Sequence, residues 1–348
     1  MKRTKKRPRL SEQVKQKVFS PKTKKPEYDG DIGIVVSTDS TLLDLAISGG
    51  RIRGGGIPGG ILVEIFGPNG TGKTILLSEL AGDVQRKKGQ VMFYDPEARL
   101  NKPFARLFGL DTNKMDYSNP DTVPEIFSAV REWKPKPRNL IHGVFADSLA
   151  ALSTSMEMED EDKMGLRRAK EFSEQLRKTC RVLAQQNYLM VCSNQVRQSM
   201  EQFGAKYKSP GGEAIGFYSS LRLRTMFTTN PKIRRKARVA GKEIKRVVGV
   251  NIEVEVFKSS VWSPYHTAPV TILFDYGIDD IRQNLQFIKD HTHNTTYMLG
   301  EKKLDTSMEK SIQIIEEGKL EDELREEVID LWERVESKFK SDRKTKIR

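Results

Sequence analysis

Apolar residues in this chain follow two rhythms. Short unbroken runs at Ile61–Phe66, Val91–Tyr94, Gly143–Ala146 and Tyr188–Cys192 read as strands buried on both faces. Stretches spaced by three and four residues predict helices at 75–80, about 102–109, 122–133 and 165–186. Ahead of these, Ser37–Ala46 reads as a short capped helix, and the glycine-rich turn 54–60 leads into the first strand. The order then changes to a run of strands near 220–227, 249–257 and 269–274. Such alternation predicts an α/β fold with a mainly parallel sheet flanked by helices, and the late strands are expected to extend it antiparallel. Leu320, Leu324, Val328, Leu331 and Val335 mark an amphipathic helix whose apolar face is expected to join the core. Leu10, Val14 and Val18 form a thin stripe that needs another surface to cover it. Three regions follow: an N-terminal arm at 1–36, a core at 37–281 and a small C-terminal domain at 282–348.

Ligands of open α/β sheets sit at the carboxyl ends of the strands. Gly67, Glu97, Asp147 and Gln195 each lie just past such an end and are expected to converge. The first turn reads Gly67-Pro68-Asn69-Gly70-Thr71-Gly72-Lys73-Thr74, the pattern G-x-x-x-x-G-K-[ST] between a strand and a helix. Its glycines let backbone N–H groups turn inward around a phosphate, and the helix starting near Lys73 points its positive end at the same anion. Lys73 is placed to reach the β- and γ-phosphates, and the Thr74 hydroxyl to ligate Mg²⁺. A bound nucleoside triphosphate is therefore expected, ATP with Mg²⁺. Asp147 closes its strand as the magnesium-side aspartate of P-loop ATPases does; as structure alone it is a helix N-cap ahead of Ser148. Glu97 is the candidate for orienting or deprotonating the attacking water; its structural alternative is a first-turn helix carboxylate. Gln195 is neutral and suited to sensing a γ-phosphate by hydrogen bonding.

Charge adds a partner. The net charge is +13, and residues 1–27 hold eleven Lys/Arg against Glu12 and Glu27. A basic tail points to a polyanion, nucleic acid before membrane, although a solvated tail would look the same. Val196 to Gly212 lacks helix or strand periodicity, and loops of that length are usually functional. It carries Arg197, Lys206 and Lys208 for phosphates, Phe203 and Tyr207 for base faces, and Gly211-Gly212 for close backbone approach. Lys232–Arg238 adds more charge on an expected hairpin between late strands. Cys180 and Cys192 make neither metal spacing nor a disulfide framework, and the four histidines lack metal partners. No apolar run approaches a membrane helix, so a reducing, cytoplasmic setting without membrane is expected.

Several spaced motifs together resemble bacterial RecA recombinases: Ser37 to Leu45, the P-loop, Asp95–Ala98, Ala146–Leu152, Met164–Leu166, Ser193–Arg197 and Gly211–Tyr218. The resemblance covers roughly residues 37–280, and its divergence fits a phage or plasmid member. It implies a RecA-like core assembled as an ATP-dependent filament, a homo-oligomer on single-stranded DNA that pairs with homologous double-stranded DNA. By the same resemblance Glu97 falls on the catalytic glutamate and Gln195 on the glutamine coupling the γ-phosphate to the second DNA-binding loop. Asn101 and Phe104 fall where the family places an aspartate and a tyrosine around the adenine. The loops 156–165, which include Met164 and Gly165, and 196–212 fall on the DNA-binding loops, with Arg177 at a phosphate-contacting arginine. Phe217 matches a residue that relays ATP state across the subunit interface. Lys258 matches the first of two lysines that reach a neighbour's γ-phosphate, whereas Ser260 stands at the second. The basic C-terminus from Lys338 to Arg348 and the strongly basic N-terminal tail also depart from the family. An ATP-gated DNA-coating or mediator protein, or a ring-forming motor of the same core, are the rival readings.

Overall fold

The buried runs pair into one nine-stranded sheet with an apolar core on each face. The computed structural model describes residues 33–149, 152, 164–195, 197–198, 207–208, 214–292, 294–341 and 343; at 164–169, 197, 198, 207 and 208 it describes the backbone alone. In chain order the first elements are β1 (Val35–Val36), α1 (Thr41–Ser48), β2 (Ile57–Pro58), β3 (Leu62–Gly67), α2 (Lys73–Arg86) and β4 (Val91–Tyr94). Next come α3 (Lys102–Leu107), β5 (Met115–Ser118), α4 (Val123–Glu132), β6 (His142–Ala146), α5 (Met164–Gln186) and β7 (Tyr188–Gln195). The short pair β8 (Arg197–Gln198) and β9 (Tyr207–Lys208) precedes α6 (Ala214–Tyr218), β10 (Leu221–Val239) and β11 (Lys242–Ser259). The chain then runs through β12 (Thr267–Leu273), β13 (Gly277–Ile278), α7 (Asp280–Thr292), β14 (Met298–Leu299), β15 (Lys302–Lys303), α8 (Met308–Gly318) and α9 (Glu321–Ser337).

The sheet order is β13-β12-β11-β10-β3-β7-β6-β4-β5, and the six strands from β10 to β5 run parallel. Successive strand residues face opposite sides. Val63, Ile65, Phe93, Phe145 and Val191 therefore join one core with Leu76, Leu77 and Leu80 of α2. Leu62, Val144, Ala146, Met190 and Cys192 join a second with Phe127 of α4 and Phe172 and Leu176 of α5. Leu324, Val328 and Leu331 of α9 belong to the first core, so the C-terminal amphipathic face is core as expected.

Three strand expectations change. β10 joins parallel to β3, and only β11 to β13 continue antiparallel. The loop after Gln195 is not free of strand structure, because its feet pair as Arg197↔Lys208 and Gln198↔Tyr207. The edge strand β5 carried too little apolar alternation to be seen; Asp116 and Ser118 face solvent along it. Among the described residues no helix is long and apolar enough to cross a membrane. Both cysteines are free, and the described residues hold no cluster of His, Cys, Asp and Glu able to ligate a metal.

Candidate functional site

β3 ends at Gly67, and the chain turns through Gly70 (φ 78°) and Gly72 (φ 74°) into α2. The left-handed backbone explains both glycines. A Cβ on Gly67 would collide with Thr225 of β10, so the loop sits hard against that neighbouring strand. Thr71 anchors it there: its hydroxyl lies 2.7 Å from the Pro68 carbonyl and 2.7 Å from Thr225 Oγ1. Lys73 Nζ donates to the carbonyls of Gly67 (3.0 Å) and Pro68 (2.7 Å). Burial pulls the Lys73 ammonium below its usual pKa, and the nearby Asp147 charge partly offsets this. A desolvated cation held by two neutral carbonyls gains by meeting an anion.

Asp147 follows β6 and faces the start of α2. Its Oδ2 accepts from Thr74 Oγ1 at 2.6 Å, and its Oδ1 accepts from Ser193 Oγ of β7. A hydroxyl and a carboxylate side by side make a hard oxygen set, which suits Mg²⁺ with retained waters. Glu97 lies three residues past β4, with the Arg99 guanidinium 3.3 Å away. Asp95, by contrast, is committed to its own turn, since Oδ2 accepts from Leu100 N (2.6 Å) and Tyr117 OH (2.9 Å). Gln195 closes β7 directly beside Gly67.

These groups line one cavity of about 310 Å³. Asn69, Gly70, Gly72, Lys73 and Thr74 line it from the loop, Asp95, Glu97, Asp147, Ser193 and Gln195 from the strand ends, Leu100, Phe104, Val250 and Phe274 add apolar lining, and Arg99 lies beside Glu97. Gly67, Pro68 and Thr71 shape the loop from behind without lining the cavity. Phe104 presents its ring, braced edge-on by Phe108 at 4.4 Å, but Asn101 is spent on capping α3, where Oδ1 accepts from Phe104 N at 3.0 Å. Thus the four strand-end positions Gly67, Glu97, Asp147 and Gln195 do gather at one end of the sheet.

The family model for the RecA N-terminal domain matches residues 24–279. The chain belongs to the RecA family. It is 30% identical to Protein RecA of Thermus aquaticus over 313 residues, which is 86% of each chain. With Protein RecA of Borrelia hermsii it shares 30% identity over 298 residues, 83% of this chain and 79% of that one. Protein RecA of Delftia acidovorans is 32% identical over 247 residues, covering 70% and 63%.

Among the described residues, the other positions singled out in the sequence do not line the cavity. Lys258 Nζ donates to the carbonyls of Gly216 and Phe217, 2.9 Å each, at the end of α6. Phe217 itself is 75% exposed. Arg177 is exposed on α5. Met164 and Gly165 begin α5, and Arg197, Tyr207 and Lys208 lie on the paired feet of the loop. Phe203, Lys206, Gly211 and Gly212 fall outside the described residues, as does the stripe at Leu10, Val14 and Val18.

One buried ion pair in the strand that leads into the P-loop escaped sequence reasoning. Glu64 stands in the middle of β3 with no exposure, its carboxylate taking Arg222 Nε at 2.6 Å and Asn194 Nδ2 at 3.1 Å. The Arg222 guanidinium also covers the Phe66 ring, 4.6 Å from its centroid. A lone carboxylate inside an apolar strand was the available signal; its partner lies 158 positions away. Arg222→Ala should cost about 3–5 kcal/mol by stranding that buried charge. Urea melts would read this, and a loss under about 1 kcal/mol would show that Glu64 needs no counter-ion.

Proposed function

We propose that the chain is a DNA-dependent ATPase that forms a helical filament on single-stranded DNA and exchanges strands with homologous duplex. The observation that carries this reading is β7. One end of it, Gln195, borders the cavity that holds Lys73 and Thr74, and the next residues are the feet of the loop 196–212. A side chain that senses the γ-phosphate is thus one or two residues from a segment rich in cations and aromatics. Lys73 and the backbone of 67–74 bind the phosphates, and Phe104 offers the base a stacking face. Thr74 and Asp147 would hold Mg²⁺, which would supply positive charge against the phosphates. Glu97 orients the attacking water and takes its proton.

Within this reading residues 37–281 are the ATPase and DNA-binding core, 282–348 a C-terminal region with a basic tail, and 1–36 a basic arm. The Leu10, Val14 and Val18 stripe supplies half of a heterologous, non-closing interface. Removing residues 1–27 should abolish filaments at low salt, as seen by electron microscopy. Intact filaments with an unchanged salt dependence would make the tail a passive solubiliser.

The deciding experiment combines circular single-stranded DNA, homologous linear duplex, ATP and Mg²⁺ and looks for joint molecules and exchanged products. Ser260 in place of a second interface lysine favours, as the rival, a slowly hydrolysing coating or mediator protein. That protein would form filaments and yield no exchanged strands, and a ring-forming motor would show closed rings.

A further inference from the structure

The strands β10 and β11 run far beyond the sheet they belong to. β3 accompanies β10 only to Arg224, and β12 accompanies β11 only from Gly249. From Arg234 to Val247 the two strands continue as a ribbon of their own, every residue of it exposed. A two-residue turn, Ala240 (φ 48°) and Gly241 (φ 78°), joins them with the twist a hairpin needs. Six residues a side give the ribbon a reach of about 20 Å.

Its charge works against its own stability. Residues 232–246 hold eight Lys/Arg against the single Glu243. Together with the tail at 1–27 they exceed the chain's net +13, so the remainder of the chain is net acidic. Arg235 stands directly opposite Arg246, and Lys236 directly opposite Lys245. Like charges in that position destabilise a strand pair, and a two-stranded ribbon without a packed face is marginal already. The Lys236–Glu243 pair at 2.8 Å is more than half exposed and offsets little of this. Neither pairing nor packing therefore accounts for the cations.

The cations are distributed over both faces. Arg234, Lys236, Arg238 and Lys245 share one, and Arg235, Lys242 and Arg246 the other, as the register requires. Along one strand alternate side chains repeat every ~6.8 Å. Each strand of a duplex carries a phosphate about every 3.4 Å of axis, and the major groove admits a two-stranded ribbon between two phosphate walls. The root is rigid, because Thr225 of β10 touches Thr71 of the P-loop and β11 is paired on both sides.

We propose that the hairpin arm 232–246 is a duplex-DNA-binding ribbon, separate from the cavity and the loop 196–212, which grips phosphates on both walls of a major groove. It adds a site to the DNA-binding reading above but needs no nucleotide. The test is binding of a fluorescent 30-base-pair duplex without ATP, from low to high salt. It compares the full chain with the quadruple variant Arg234→Gln, Arg235→Gln, Lys236→Gln and Arg238→Gln. These side chains are exposed and the ladder is made by backbone, so the fold should survive. Neutralising four phosphate contacts should flatten the plot of log affinity against log salt by about 3–4, from a slope of about −0.9 per contact. Near 0.1 M salt the affinity should fall by roughly 10- to 100-fold. A variant with Arg234→Lys, Arg235→Lys and Arg238→Lys should keep the parental slope, since the charges remain. Hydrolysis of ATP stimulated by single-stranded DNA, measured on the same proteins, reports the proposed function separately and should not change between them. An unchanged duplex slope in the quadruple variant overturns the proposal. So does an effect confined to single strands, or a change of oligomeric state without DNA that accounts for the loss, which would make a second copy the partner.

Discussion

Lys258→Ala should reduce DNA-stimulated ATP hydrolysis by about 10³–10⁵, the worth of a cation supplied in trans to phosphoryl transfer. Nucleotide binding to isolated subunits should be unchanged, because Lys258 does not line its own chain's cavity. The ammonium is parked on the carbonyls of Gly216 and Phe217. Burial pulls its pKa down, the Arg222 charge adds to the effect, and Glu64 opposes both. A lysine in that position is a charge held against its preference, and under the proposed filament a neighbouring subunit's γ-phosphate would be a better partner than two neutral carbonyls. The trans placement is tested by mixing two inactive variants. Glu97→Gln subunits keep Lys258, and Lys258→Ala subunits keep Glu97. In a random equal mixture roughly a quarter of head-to-tail interfaces join one intact residue of each kind, and those should hydrolyse ATP. Co-assembly seen by microscopy without any return of activity would make Lys258 a cap on α6 and nothing more.

Glu97→Gln should lower hydrolysis by about 10²–10⁴ while ATP and DNA binding persist. Among the described residues three carboxylates line the cavity, and their partners separate their roles. Asp95 is tied to Leu100 N and Tyr117 OH, and Asp147 to Thr74 and Ser193. Among the described residues the ion pair found for Glu97 is with the Arg99 guanidinium, which is 73% exposed. Glutamine keeps the size and one acceptor of glutamate but cannot take the water's proton. Filaments of the variant should outlast those of the parent, because the ATP state persists. Turnover at the parental rate in a single-cycle assay would remove Glu97 from the role of base.

The sequence by itself determined whatever is decided between near neighbours. The P-loop needs left-handed backbone at Gly70 and Gly72 and a helix starting at Lys73, all within eight residues. The central strands and the helices between them were legible because burial imposes a period of two or of 3.6 on adjacent positions. Even the meeting of Glu97, Asp147 and Gln195 followed from the sequence, since parallel strands put all their carboxyl ends on one side. Tertiary structure decided the rest. That β10 lies parallel to β3 depends on Leu221 and Leu223 filling the same core as Val63 and Ile65, a fit no local pattern encodes. Glu64 reads as an error in an apolar strand until Arg222 is folded against it from 158 residues away. The reach of the arm was hidden for the opposite reason. A hairpin was expected around Lys232–Arg238, but beyond Arg234 it has no buried face, so no burial pattern sets its length and the backbone ladder does.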